Sequence, residues 1–217
     1  MVENRRQMIR KTKINLTELD VFFINLDRDV EKRRQIEDML DRLGFTSVHR
    51  VAGFEEPVKK MGVAKSHQKV MNDLKGHKKP FIVFEDDIRT HNFMKELAVP
   101  DDADAYYLGN SYWGLYHGKG SRRVSLEQVD QHIYKIYNML AAHAILYLNP
   151  DYVAFIAEAI KFNIYANKNQ DMARADTMKF FNIYANKHPL FYQNGIHTKA
   201  TLQKLPPPNS VGPEGAY

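Results

Sequence analysis

Cysteine is missing altogether from the 217 residues, which removes thiolate metal sites, cysteine nucleophiles and disulfide frameworks together. The absence fits a reducing compartment without requiring one. Long apolar runs are missing too: a stretch such as Ala141 to Leu148 is interrupted by His143 and Tyr147 and falls far short of a membrane span. The first residues, Met1 to Lys13, are basic but lack the apolar core of a secretory signal. No glycine-rich phosphate loop of the P-loop kind is found, and no basic stripe carries interleaved aromatics. The expectation is a cytoplasmic protein with no membrane span and no nucleic-acid partner.

What is present is ordinary for a globular protein: 44% hydrophobic and 26% charged residues. The length suits one medium-sized domain able to bury a core. The net charge of +5 is modest, and Arg5, Arg6, Arg10, Lys11 and Lys13 supply much of it at a solvated end.

Strand and helix patterns alternate along the chain. Val21 to Ile24 is a short apolar strand that breaks at Asn25-Leu26-Asp27-Arg28-Asp29. Ile36, Met39, Leu40 and Leu43 recur at helical spacing, with Gly44 placed to end the helix. Val48 to Ala52 reads as a second strand. Val63, His67, Val70, Met71 and Leu74 repeat as a helix, and Pro80 opens the strand Phe81 to Phe84. Ala105 to Leu108, Ile133 to Tyr137 and Ala144 to Leu148 read as further strands. Asn149-Pro150-Asp151 is an N-cap with proline in the first turn, leading a helix through Val153, Ile156 and Ile160. This order predicts an α/β fold in one domain over 20–204, after a basic polar lead-in (1–19) and before a Pro/Gly-rich tail or linker (205–217). In such sheets ligands gather at the carboxyl ends of the strands. One oddity stands apart: Phe-Asn-Ile-Tyr-Ala-Asn-Lys occurs at 162–168 and again at 181–187.

Four groups of residues are candidates for chemistry. Glu85-Asp86-Asp87 sets three acids at one strand end, where they repel unless a cation compensates. Mg²⁺ and Mn²⁺ prefer such oxygen ligands together with substrate phosphates, though a solvated acidic turn explains the triplet equally well. Asn25, Leu26, Asp27 and Arg28, with Arg33 and Arg34 beyond, offer groups for a base, a ribose and phosphates; a capped helix start with a basic outer face is the plainer reading. His67 shares a helical face with apolar residues, as a buried core histidine would. The functional reading has Ser66 and His67 approach a ligand. Asp171 and Asp176 flank a helix-like stretch, and either is an ordinary helix acid or a base for an acceptor hydroxyl.

Taken together, Phe23-Ile24-Asn25-Leu26-Asp27-Arg28 with Glu31, Arg33 and Arg34, then Gly62-Val63-Ala64-Lys65-Ser66-His67, then Phe81 to Ile88, resemble glycosyltransferase family 25 in order and approximate spacing. This is the group of lipooligosaccharide and collagen sugar transferases. His143 to Pro150, Asp176 and Pro189-Leu190-Phe191-Tyr192-Gln193 resemble its later blocks more loosely. The resemblance covers roughly residues 20–202. It implies a GT-A-type fold, a Rossmann-like mixed sheet flanked by helices. It also implies an inverting transfer from a nucleoside-diphosphate sugar, usually a UDP-sugar, to a hydroxyl of a glycan or glycoprotein acceptor, with Mn²⁺ or Mg²⁺ as cofactor. Under it, Asp87 and Glu85 serve the metal, with Asp87 the direct ligand. Asn25, Leu26, Asp27, Arg28, Arg33, Ser66, His67 and Asp86 bind the donor. Asp176 is the preferred base, by its distance before Pro189 to Gln193, and Asp171 the alternative. The chain departs from the family in lacking a Cys before Ser66-His67 and in carrying an extra segment around Trp113 to Arg123. Its tail suits the catalytic module of a larger chain continuing past residue 217, such as a large-DNA-virus transferase working in the host cytoplasm. Two other classes compete: a metal-dependent nucleotidyl- or phosphotransferase, and a non-catalytic sugar- or nucleotide-binding module using Tyr112, Trp113 and Tyr116 as stacking faces.

Overall fold

The computed structural model describes residues 9–121, 123–193 and 202. In chain order the elements are β1 (Lys11–Asn15), β2 (Asp20–Asn25), α1 (Val30–Leu43), β3 (Ser47–Ala52), α2 (Lys59–Leu74), β4 (Phe81–Glu85), β5 (Glu96–Pro100) and β6 (Ala105–Tyr107). They continue with β7 (Gly114–Tyr116), β8 (Lys119–Ser121), β9 (Leu126–Gln128), β10 (Ile133–Ile136), β11 (Ala144–Tyr147), α3 (Pro150–Tyr165), α4 (Gln170–Thr177) and β12 (Ile183–Asn186). Helix α1 stops where the periodicity stops, at Gly44 with φ 85°, a left-handed C-cap. Helix α3 starts on the Asn149 side chain, which accepts from the Asp151 N–H, with Pro150 in the first turn.

Eight strands form one mixed sheet in the order β3-β2-β4-β11-β6-β12-β10-β9. Strands β3, β2 and β4 run parallel; β11 enters antiparallel between β4 and β6; β12 returns parallel to β6. Strand β4 shows why the sheet has helices on both faces. Phe81 and Val83 pack among residues of α2 and α3, while Ile82 and Phe84 pack with Ile36, Met39 and Leu40 of α1. A strand buried on both sides reads as a continuous apolar run, as this one does. The expected α/β architecture, a Rossmann-like mixed sheet flanked by helices in one compact unit, is what the structure has.

The lead-in needs correcting at its inner end. Lys11–Asn15 is strand β1, paired antiparallel with β5 from Lys11↔Pro100 to Asn15↔Glu96, so it belongs to the folded unit. The segment around Trp113 to Arg123 contains the hairpin β7–β8. The tail 205–217 lies outside the described residues. Among the described residues, no helix is long and apolar enough to cross a membrane.

The repeated heptapeptide takes two structures. Its first copy is the end of α3, with Phe162 and Tyr165 exposed at 77% and 79%. Its second copy holds strand β12, where Ile183, Tyr184 and Ala185 are buried at the middle of the sheet. Seven identical residues do not choose between helix and strand here; the neighbours do.

Candidate active site

A cleft of about 600 Å³ opens at the carboxyl ends of β2, β3 and β4, walled by the first turns of α2. The alternation of β4 decides what each acid does. Residues 81, 83 and 85 share the face toward α2, so Glu85 turns inward beneath that helix. Its Oε1 lies 2.9 Å from His67 Nε2, and its Oε2 accepts from Gln193 Nε2 at 2.6 Å. Asp86 turns toward the end of β2, where its Oδ2 accepts from Asn25 Nδ2 at 2.7 Å and its Oδ1 sits 3.7 Å from Lys32 Nζ. Asp87 is reached by the same Gln193 amide nitrogen at 2.8 Å. One nitrogen thus draws an oxygen of Glu85 and an oxygen of Asp87 to a common point.

The electrostatics follow from this crowding. Burial first, and then the neighbouring Asp87 charge, push the Glu85 carboxyl up to about 7. Burial also raises Asp86, against the opposing pull of Asn25 and Lys32. His67, on the inner face of α2 with 1% exposure, is pushed down to about 3 by burial and by the guanidinium of Arg174. It is therefore a neutral imidazole at any ordinary pH. Asp171, in the first turn of α4, is raised to about 6 by burial and by Glu85. It accepts from Gln170 Nε2 at 2.6 Å and lies behind the residues that line the cleft rather than among them.

Most of the residues expected for the donor do line the cleft, but several are already engaged. Asn25 is a latch: its amide donates to Asp86 and to the Asp29 carbonyl, and its oxygen accepts from Arg50. Ser66 is a strut, donating to the Gly62 carbonyl at 2.7 Å and accepting from the Phe54 N–H at 2.8 Å. It fixes the wall of the cleft and is not a loose hydroxyl. Leu26 and Arg28 line the mouth, where Arg28 pairs with Glu55 across the loops that follow β2 and β3.

Three of the expected residues lie away from this cleft. Asp27 is 83% exposed and pairs with Arg50, outside the cleft lining. Arg33 lies on the outer face of α1, bonded to Glu37 one turn on; Lys32, on the face shared with Asp29 and Ile36, reaches the cleft instead. Asp176 is 72% exposed, faces Lys179, and lines a separate cleft with Tyr116 and Tyr137. The two acids of α4 are five residues apart and so point different ways; the inward one is Asp171. Sequence reading assigned no role to Lys32, Gln193 or Arg174. A signal for the last was there: Arg174 falls one helical turn after Asp171 and is flanked by Ala173 and Ala175, small residues that leave room for a guanidinium.

The donor set is compatible with a hard divalent cation. Asp87 and Glu85 lie side by side, and the point their oxygens share is held by the Gln193 amide, so a cation would sit at the other Asp87 oxygen or displace that amide; such ions often take one or two carboxylates and complete their shell with water and phosphate oxygens. Among the described residues no group of three or more His, Asp or Glu side chains is arranged to hold a metal unaided. Glu85 is also tied at both oxygens by His67 and Gln193, which leaves Asp87 as the more available ligand. The cleft as a whole carries an acid surplus: Asp29, Glu55, Glu56, Glu85, Asp86 and Asp87 against Arg28, Lys32 and Lys59. No protein-family model matches this chain, and no curated protein matches it either.

Proposed function

We propose that this cleft is the donor site of a metal-dependent, inverting glycosyltransferase that moves a sugar from a nucleoside diphosphate, UDP by preference, to a hydroxyl of a glycan or glycoprotein. The observation that carries the reading is the acid surplus in a nucleotide-sized cleft at the carboxyl ends of parallel strands. A diphosphate is itself anionic, and even with Glu56 paired to Lys65 the five other acids outnumber the three lining cations and would repel it unless a divalent ion entered with it. The resemblance of the three sequence blocks to family 25 supplies the reaction class. Bound Mn²⁺ or Mg²⁺ would offset charge building on the departing diphosphate.

The chain's own residues then divide the work. Asp87 is the cation ligand of choice, with Asp86 held by Asn25 beside it. Arg28 and Lys32 at the mouth meet phosphate or ribose oxygens. Asp171 is the candidate base for the acceptor hydroxyl, since a carboxyl raised to about 6 accepts a proton near neutral pH more readily than an ordinary aspartate. The test is product analysis with UDP-sugars and Mn²⁺, on wild type and Asp87→Asn. Release of UDP with formation of a glycoside, lost in Asp87→Asn and in chelator while the fold persists, supports the reading. Pyrophosphate or a phosphorylated acceptor would mean nucleotidyl or phosphoryl transfer, and donor binding without turnover would mean a binding module.

A further inference from the structure

We infer that Arg174 is a positioning residue that locks the His67 ring with its proton on Nε2, so that His67 donates to Glu85 and fixes the inner side of the acidic edge. The inference rests on the proposed transfer for its consequence in catalysis, but on geometry alone for the lock itself.

Arg174 is fully buried, although it carries a permanent charge. Its fork is held on three sides. Nε and Nη2 donate to Tyr147 Oη at 3.2 and 3.1 Å, and Nη1 donates to Gln170 Oε1 on the same helix. Nη2 also faces His67 Nδ1 at 3.4 Å. A guanidinium has donors only, so the nitrogen it faces must present a lone pair. A proton on Nδ1 would set N–H against N–H in a region closed to water, since His67 and Arg174 are exposed at 1% and 0%. The neutral ring therefore carries its proton on Nε2, and that N–H points at Glu85 Oε1, 2.9 Å away.

The consequence is a chain of orientation from α4 through α2 to the end of β4. With Oε1 held inward by His67, the other Glu85 oxygen is turned toward Asp87, where the Gln193 amide donates to both acids. Among the described residues no carboxylate lies within ion-pair distance of Arg174; the nearby negative field is that of Asp171 and Glu85. The buried cation thus serves the two acids of the site through orientation and field, without touching a substrate.

The direct test needs no activity. In ¹⁵N-histidine-labelled wild-type protein the nine histidines give ring-nitrogen signals, and those of His67 are the pair lost in His67→Gln. The expected pattern is a protonated Nε2 and a bare Nδ1; a proton on Nδ1, or on both nitrogens, overturns the lock. A second arm uses the reach of amides: glutamine carries its N–H₂ where Nε2 stands, asparagine where Nδ1 stands. His67→Gln is expected to keep kcat within ~10-fold of wild type, while His67→Asn loses ~100-fold with donor affinity little changed, the range seen when supporting partners of a site are removed. Equal kcat in the two variants overturns the positioning role. If wild type turns over no nucleotide-sugar, the proposed function fails, and the ring-nitrogen pattern still decides the lock.

Discussion

Gly62→Ala sets two effects of known size against each other inside the wall of the cleft. Gly62 lies in α2, where alanine is normally the better residue by about 0.5–1 kcal/mol. At this position, however, a Cβ would stand 2.6 Å from the Phe54 carbonyl oxygen. That oxygen is backbone, and its residue is pinned by the Phe54 N–H donating to Ser66 Oγ at 2.8 Å. Relief requires the loop after β3 to move away from the helix, an overpacking cost of about 1–3 kcal/mol. The cost exceeds the helical gain, leaving a net destabilisation of about 1–2 kcal/mol. For a chain of this length that is a fall in Tm of roughly 2–8 °C. Phe54, Glu55 and Glu56 line the cleft, so nucleotide affinity should fall along with stability. Thermal and urea unfolding of Gly62→Ala would be compared with Gly76→Ala, where a Cβ meets nothing within 4 Å. A Gly62→Ala protein that melts above wild type would refute the reasoning, because the close approach to Phe54 would then cost less than the helix gains.

Asp171→Asn should abolish glycoside formation while UDP binding persists, and Asp176→Asn should leave both near wild type, read as UDP release and calorimetric UDP affinity; the opposite result would make Asp176 the base. The Glu85 carboxyl, lifted from 4.5 to about 7 by burial and by Asp87, holds a proton in the native state over that window that the unfolded chain has lost, so it makes stability fall as pH rises. In chelator, the stability of Glu85→Gln relative to wild type should therefore climb by ~3 kcal/mol across the window, and a pH-independent difference in urea titrations would contradict it. Within the two heptapeptide copies, Tyr184→Ala should cost about 3–5 kcal/mol, as for other buried aromatics. Tyr165→Ala should stay within ~0.5 kcal/mol in the same unfolding assay.

The parts of the fold that pattern foretold are those whose local chemistry and surroundings agree. Strand β4 is apolar because both faces are covered, α1 ends at a glycine that adopts the left-handed conformation, and α3 begins on Asn149-Pro150. The inward turn of His67 was also legible, since its neighbours at helical spacing are core residues. Strand β12 was not, because its residues repeat those of a helix end and only the parallel seat beside β6 draws them into the sheet. Strand β1 hid behind its lysines, which suit an edge pairing and look like a solvated tail. That Glu85, Asp86 and Asp87 gather in one cleft was legible from their place directly after an apolar strand. Which of Asp171 and Asp176 is buried and which exposed depends on the phase of α4 against the sheet, which sequence distance to Pro189 does not report. Lys32 faces the cleft and Arg33 does not, a difference of one residue and about 100° around α1 that composition does not reveal.

The strand order also fixes a sequence of events as the chain is made. Strands β2, β3 and β4, with α1 and α2, are contiguous in the chain from Asp20 to Glu85 and pair only with one another on that side of the sheet. A nascent chain can therefore assemble the nucleotide-sized half of the cleft early, as parallel βαβ units. Strand β4 then waits with one edge open until β11, some sixty residues later in the chain, inserts beside it. Asp171, Arg174 and Gln193 emerge later still. Until they arrive, Glu85 has His67 at one oxygen but lacks Gln193 at the other, and His67 lacks the Arg174 guanidinium behind it.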